Sequence, residues 1–179
     1  DLKMTSPRYQ DITGNDIPEI IDDDGTVVRI VVGEFWGKKG PVDGVAAEPQ
    51  YLDITVPAGK KKVFKVDTYK SAFAYIFEGD GTFRDASKPF GVLVEKEVAG
   101  NELHLRDRTG DRTLVVFDKG DEVVVQAGEK GIRFLLISGK PIQEPVAWHG
   151  PIVMNTQQEL QQAFNELRGG NFIKESASS

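Results

Sequence analysis

The chain has 179 residues, 39% hydrophobic and 28% charged, which is enough apolar material for one packed domain with short appendages. Its 28 Asp and Glu outnumber 22 Lys and Arg, and the net charge of −6 argues against the cationic surface that nucleic-acid binding draws on. There is no cysteine, so disulfides, thiolate nucleophiles and Cys-ligated zinc or iron–sulfur centres are excluded together.

In chain order, residues 1–20 (DLKMTSPRYQDITGNDIPEI) have weak periodicity and carry prolines, and read as a linker or wrapping arm. The chain starts at Asp1 without an initiator Met, which reads as a processed or shortened chain. It shows neither a signal-peptide pattern nor an apolar run of membrane length, so no membrane association is expected and cytoplasm is the default location. Asp22-Asp23-Asp24-Gly25 lacks the alternating ligands and distal Glu of a calcium loop and reads as an acidic turn. The strand candidates are VVRIVV (27–32), YLDITV (51–56), SAFAYIF (71–77), FGVLVEKEV (90–98), NELHLR (101–106), RTLVVF (112–117), DEVVVQA (121–127) and IRFLLIS (132–138). Their starts recur mostly at about 8–12 residues, with longer gaps early on, which predicts an all-β sandwich or barrel. Lys60-Lys61-Lys62 reads as a solvated loop or strand edge, and Ala99-Gly100-Asn101 as a hairpin turn.

NTQQELQQAFNELRGG is predicted as a helix. Thr156 and Glu159 have capping-box spacing, Leu160, Ala163, Phe164 and Leu167 share one face, and Gly169-Gly170 supplies the stop. Residues 174–179 read as a disordered tail.

Chemistry is sparse. Of the two histidines, His104 alternates outward on a strand, and His149 sits in a loop beside Trp148. Two histidines far apart, without cysteine, cannot build a His-rich metal site, though a single His with carboxylates stays open. No nucleophile elbow is present, and the GDG at 79–81 lacks the strand–helix context of a phosphate loop.

Several segments resemble the C-terminal domain of the pirin family, two-domain members of the cupin superfamily. They are YQDI (9–12), IPEI (17–20), VVRIVVGEFWGKKGPV (27–42), PQYLDITVPAG (49–59), AFAYIFEGDG (72–81), FLLISGKPIQEPVAWHGPIVMNTQQEL (134–160) and GNF (170–172). The resemblance implies an all-β, cupin-type jelly-roll barrel or sandwich with an N-terminal arm and a short C-terminal α-helix. It divides the chain into an arm (1–20), a barrel (21–154), a helix with its tail (155–173) and a disordered end (174–179). It also implies a second, N-terminal barrel, outside this chain, that holds iron or another divalent metal on three histidines and a glutamate. Members are associated with quercetin 2,3-dioxygenase activity, and the animal protein with nuclear transcription co-regulation, so a nuclear location is implied if the source is eukaryotic.

Mapped residue by residue, the family's metal-ligand slots fall on Lys65, Asp67, Ser71 and Arg133. Only Asp67 offers a metal its lone pairs, so neither a metal, a cofactor nor a catalytic residue is expected in this chain. The mapping places Arg133 beside Asp67 and Ser71 as an ion pair. The alternatives are that Arg133 snorkels out of the barrel end, or that Lys65 and Arg133 hold a small anion. The expected partner is the N-terminal barrel of the same protein, with self-association of the isolated domain; an external protein partner is the other reading.

Overall fold

A computed structural model describes residues 9–83, 97–99, 102–104 and 109–173, with only the backbone described for 97–99 and 102–104. The expectations for the start of the arm, the strand over 90–96, the end of the 101–106 strand, the His104 side chain and the 174–179 tail lie outside the described residues. The chain divides into two compact units, Tyr9–Pro141 and a second that takes in residues 142–173.

In the first unit the strands are β1 (Glu19–Ile21), β2 (Val27–Val32), β3 (Glu34–Phe35), β4 (Lys38–Lys39), β5 (Gln50–Val56), β6 (Lys61–Lys65), β7 (Ser71–Thr82), β8 (Glu97–Ala99), β9 (Glu102–His104), β10 (Thr109–Gly110), β11 (Thr113–Val116) and β12 (Glu122–Gly139). An eight-stranded antiparallel sheet runs β1-β2-β5-β12-β7-β10, with β11 beside β7 and β6 beside β12. The start of β12 pairs β6, its second half pairs β5, and β7 pairs it from Gln126 to Gly139. β8 and β9 pair antiparallel with Ala99 opposite Glu102; Gly100 and Asn101 of the expected turn lie outside the described residues.

The segments 121–127 and 132–138 are therefore one strand, not two, and 71–77 runs on to Thr82. The physical reason is a pair of glycines. Gly79 (φ +75) and Gly131 (φ +81) sit where β7 and β12 bend together, and a Cβ on Gly79 would run into the Gly131 carbonyl oxygen. Left-handed backbone and close approach are what glycine permits. Beside them the ladder shifts register between Ala127 and Ile132, so glycines that read as turn punctuation instead bend the strands with a bulge.

That bend lets the sheet enclose one core. Val28, Ile30, Leu52, Ile54, Val56, Phe64, Ala74, Ile76, Val115 and Phe134 have no exposed surface. The rings of Phe64 and Phe134 meet edge-on at 6.1 Å, and those of Phe83 and Phe134 at 5.3 Å. Of the two readings of the lysine run, the strand holds for Lys61 and Lys62, which open β6, while the end of the expected arm pairs with β2 as β1.

In the second unit, β13 (Ala147–His149) and β14 (Ile152–Met154) form a hairpin against α1 (Gln157–Arg168). The capping box is present: the Glu159 N–H donates to Thr156 Oγ1 (3.2 Å), and the Thr156 N–H to Glu159 Oε2 (2.8 Å). Leu160 and Ala163 pack with Ala147 and Ile152, Phe164 covers them in part, and Leu167 stays exposed.

Candidate functional site

Strand parity determines what the slot residues can do, because successive side chains point to opposite faces. On β6, Phe64 points into the core and Lys65 outward. On β7, Ala72, Ala74 and Ile76 are buried, while Ser71, Phe73 and Tyr75 are exposed. On β12, Ile132, Phe134 and Leu136 are buried, and Arg133 alternates outward. The expected placement at one interior site is corrected accordingly: Lys65, Ser71 and Arg133 lie one residue out of phase with the interior. Their inward neighbours, Phe64, Ala72 and Phe134, carry no lone pair for a metal. Among the described residues no three His, Asp or Glu side chains gather closely enough to hold an ion. The described part of the interior therefore offers no donor set that fits iron or another divalent metal.

Three of the four slot residues, Arg133, Asp67 and Lys65, instead have a local partner. Arg133 makes a two-pronged contact with Asp53 on β5, Nε to Oδ1 at 3.0 Å and Nη2 to Oδ2 at 2.7 Å, and its guanidinium lies 4.9 Å from the Phe77 ring centre. The hydrogen bond to Asp53 raises the arginine's pKa further. Arg29 approaches Asp53 from the other side at 4.0 Å and Glu19 at the same distance, so charges of alternating sign cross β1, β2, β5 and β12 on the outer face. Asp67 accepts from Lys70 Nζ at 2.8 Å. Lys65 donates to the buried carboxylate of Glu122 at 2.8 Å, which raises the lysine's pKa. With both cations neutralised by carboxylates, an anion held by Lys65 and Arg133 finds no support in the geometry.

Lys65, Asp67 and Lys70 do share the rim of a cavity of about 730 Å³ with Glu34, Glu48 and Asp121. Glu48 accepts from the Tyr69 hydroxyl at 3.0 Å. Elsewhere, Lys62 joins the acidic turn, donating to Asp22 and, at 3.0 Å, to Asp24. Partial burial works against the Lys62 ammonium, but the two carboxylates outweigh it and raise its pKa. The Thr26 N–H, 2.9 Å from Asp24 Oδ1, is the main cause that holds that carboxyl down at about 2. His149 closes β13 with its ring 5.3 Å from that of Phe164, an aromatic contact.

Sequence reasoning missed the outward row of large apolar residues. Phe73 lies opposite Val116 and Ile137, and Tyr75 opposite Leu114 and Leu135. Phe73 and Tyr75 are 37% exposed, Leu114 50% and Val116 58%. The signal was the alternation of Ala with Phe and Tyr in SAFAYIF, which reads naturally with the aromatic residues inside.

A bent antiparallel sheet closed over an aromatic core, with a capped helix after it, defines a cupin-type β domain. The comparisons carry this further: the model of the pirin C-terminal cupin domain matches residues 51–173, and the chain belongs to the pirin family. Pirin-1 of Arabidopsis thaliana is 35% identical over 168 residues, covering 93% of this chain and 52% of that protein. A pirin-like protein of Caulobacter vibrioides is 33% identical over 173 residues, covering 96% and 54%. The crystal structure of quercetin 2,3-dioxygenase from Acinetobacter baumannii superposes with a TM-score of 0.72 at 27% identity, covering 95% of this chain and 52% of that one. The chain thus spans about half the length of the relatives it matches. Among the described residues no helix is long and apolar enough to cross a membrane.

Proposed function

We propose that this domain is the metal-free half of a pirin-type protein and supports an N-terminal barrel that carries the metal. The reaction proposed for the whole protein is oxygenation of a quercetin-type substrate, the activity that the Acinetobacter relative is named for. The observation that carries the reading is the aromatic filling of the interior: Phe64 and Phe134 occupy the inward positions beside the family's ligand slots. A side chain that fills a core stabilises it and leaves no donor for a cation.

The test uses the chain alone and a chimera in which it replaces the matching half of the Acinetobacter enzyme. The chain alone, loaded with iron and desalted, should keep far less than one equivalent and leave quercetin unchanged. The chimera should keep iron and oxidise quercetin. Stoichiometric iron on the isolated chain, or oxidation by it, would overturn the proposal.

A second reading, a module for an external protein partner, has one feature in its favour. Val146, Trp148 and Val153 are exposed on the β13–β14 hairpin, with Trp148 and Val153 directly opposite each other. A partner that binds there should be lost in Trp148→Ala with the chimera's oxidation unchanged.

A further inference from the structure

The cavity of about 730 Å³ beside the end of β6 is lined by four carboxylates, Glu34, Glu48, Asp67 and Asp121, and two ammonium groups, Lys65 and Lys70. Both ammonium groups are already engaged: Lys65 donates to Glu122 and Lys70 to Asp67, each at 2.8 Å. Among the described residues, Glu34, Glu48 and Asp121 have no cationic partner. Glu48 accepts from the neutral Tyr69 hydroxyl, and Asp121 Oδ1 is shut off from water with no donor among the described residues. A carboxylate oxygen without a donor is costly, and a ligand that brings positive charge to it relieves that cost. The backbone holds Glu48 at this rim under strain. Ala47 and Glu48 are both left-handed (φ +69 and +47), and the Lys140 N–H donates to the Ala47 carbonyl at 2.7 Å.

Among the described residues no three carboxylates gather closely enough for one metal ion. A cation that meets all three must therefore be extended, with N–H groups spaced along a chain. Pro49 and Val66, in the same lining, offer its methylene groups an apolar wall. We propose that this cavity binds a linear polyamine, whose ammonium groups meet Glu34, Glu48 and Asp121. The net charge of −6 attracts such a cation to the chain, and the cavity fixes its position. The site is built from this chain's own residues and does not rest on the supporting role proposed above, so iron retention has no bearing on it.

The test is calorimetric titration of the chain with spermidine at about 0.15 M salt, where well-separated exposed charges are largely screened. Spermidine should bind at a single site, and the melting temperature should rise with its concentration. Putrescine, with one ammonium group fewer, should bind at least about tenfold more weakly, and magnesium at the same concentrations should not raise the melting temperature. Asp121→Asn and Glu34→Gln should each cut spermidine affinity at least about tenfold. Glu34 is exposed, so its variant leaves the core intact. Glu129→Gln removes the same charge at an exposed position outside the cavity and should leave the affinity unchanged. Equal losses in all three variants would reduce the effect to general charge attraction and overturn the site. A magnesium shift as large as that of spermidine, or no spermidine binding at millimolar concentration, would overturn it as well.

Discussion

At positions 133 and 134 one peptide bond separates a guanidinium on the outer face from a phenyl ring with no exposed surface. The two should therefore answer differently to truncation. Phe134→Ala removes a ring in edge contact with Phe64 and Phe83 and leaves a cavity, at a cost of about 3–5 kcal/mol. Arg133→Ala loses a screened ion pair and a stacking contact and should cost about 1 kcal/mol. Urea unfolding of the two variants checks the ratio, and equal losses would mean that Arg133 is not on the outer face. Asp24 adds a pH dependence. Its carboxyl lies at about 2, below the ordinary 3.8, so its contribution is complete above the unfolded value and fades as pH falls from about 4 towards 2. Asp24→Asn should thus lower the urea midpoint at neutral pH and have little effect at about pH 2.

Among the elements, the bend shared by β7 and β12 is the most vulnerable point. Gly79→Ala needs both a left-handed alanine and a wider gap from Gly131, a combined cost of about 3 kcal/mol or more. It should also separate the two halves of the ladder, seen as faster amide exchange at Gln126, Ala127 and Ile132, the residues that flank the register shift. The helix makes a smaller demand. Thr156→Ala breaks the capping box and should cost about 1 kcal/mol, with fraying of the first turn visible in amide exchange at Glu159 and Leu160. These two elements differ in how far the sequence disclosed them. The helix was legible because its cap, stripe and stop lie within a few residues of one another. The bent strands were not, because a glycine in a bulge and a glycine in a turn look alike until the partner strand is known.

For the whole molecule, the outward row of large apolar residues and the aromatic filling of the interior are consequences of one choice of parity. A tight iron site at a hundredfold excess over its Kd would stabilise the chain by about 2.7 kcal/mol. Iron should therefore leave the melting temperature of the isolated chain unchanged, and a rise that grows with iron concentration would contradict the filled interior. The sequence by itself determined the class: an acidic, cysteine-free all-β chain with a capped helix, carrying segments that mark the pirin C-terminal domain. Residue types and short-range spacing suffice for that. Only the tertiary structure decided which side of each strand faces inward, and with it that Arg133 meets Asp53 rather than Asp67. The physical reason is that side chains alternate with a period of two, so an error of one residue in counting across a bulge exchanges core for surface. Periodicity within β7 could not resolve it, since alanine and aromatic residues are both apolar. In the folded domain Phe64, Phe83 and Phe134, from β6, the residue after β7, and β12, share the core with Ala72 and Ala74, and Phe73 and Tyr75 face out.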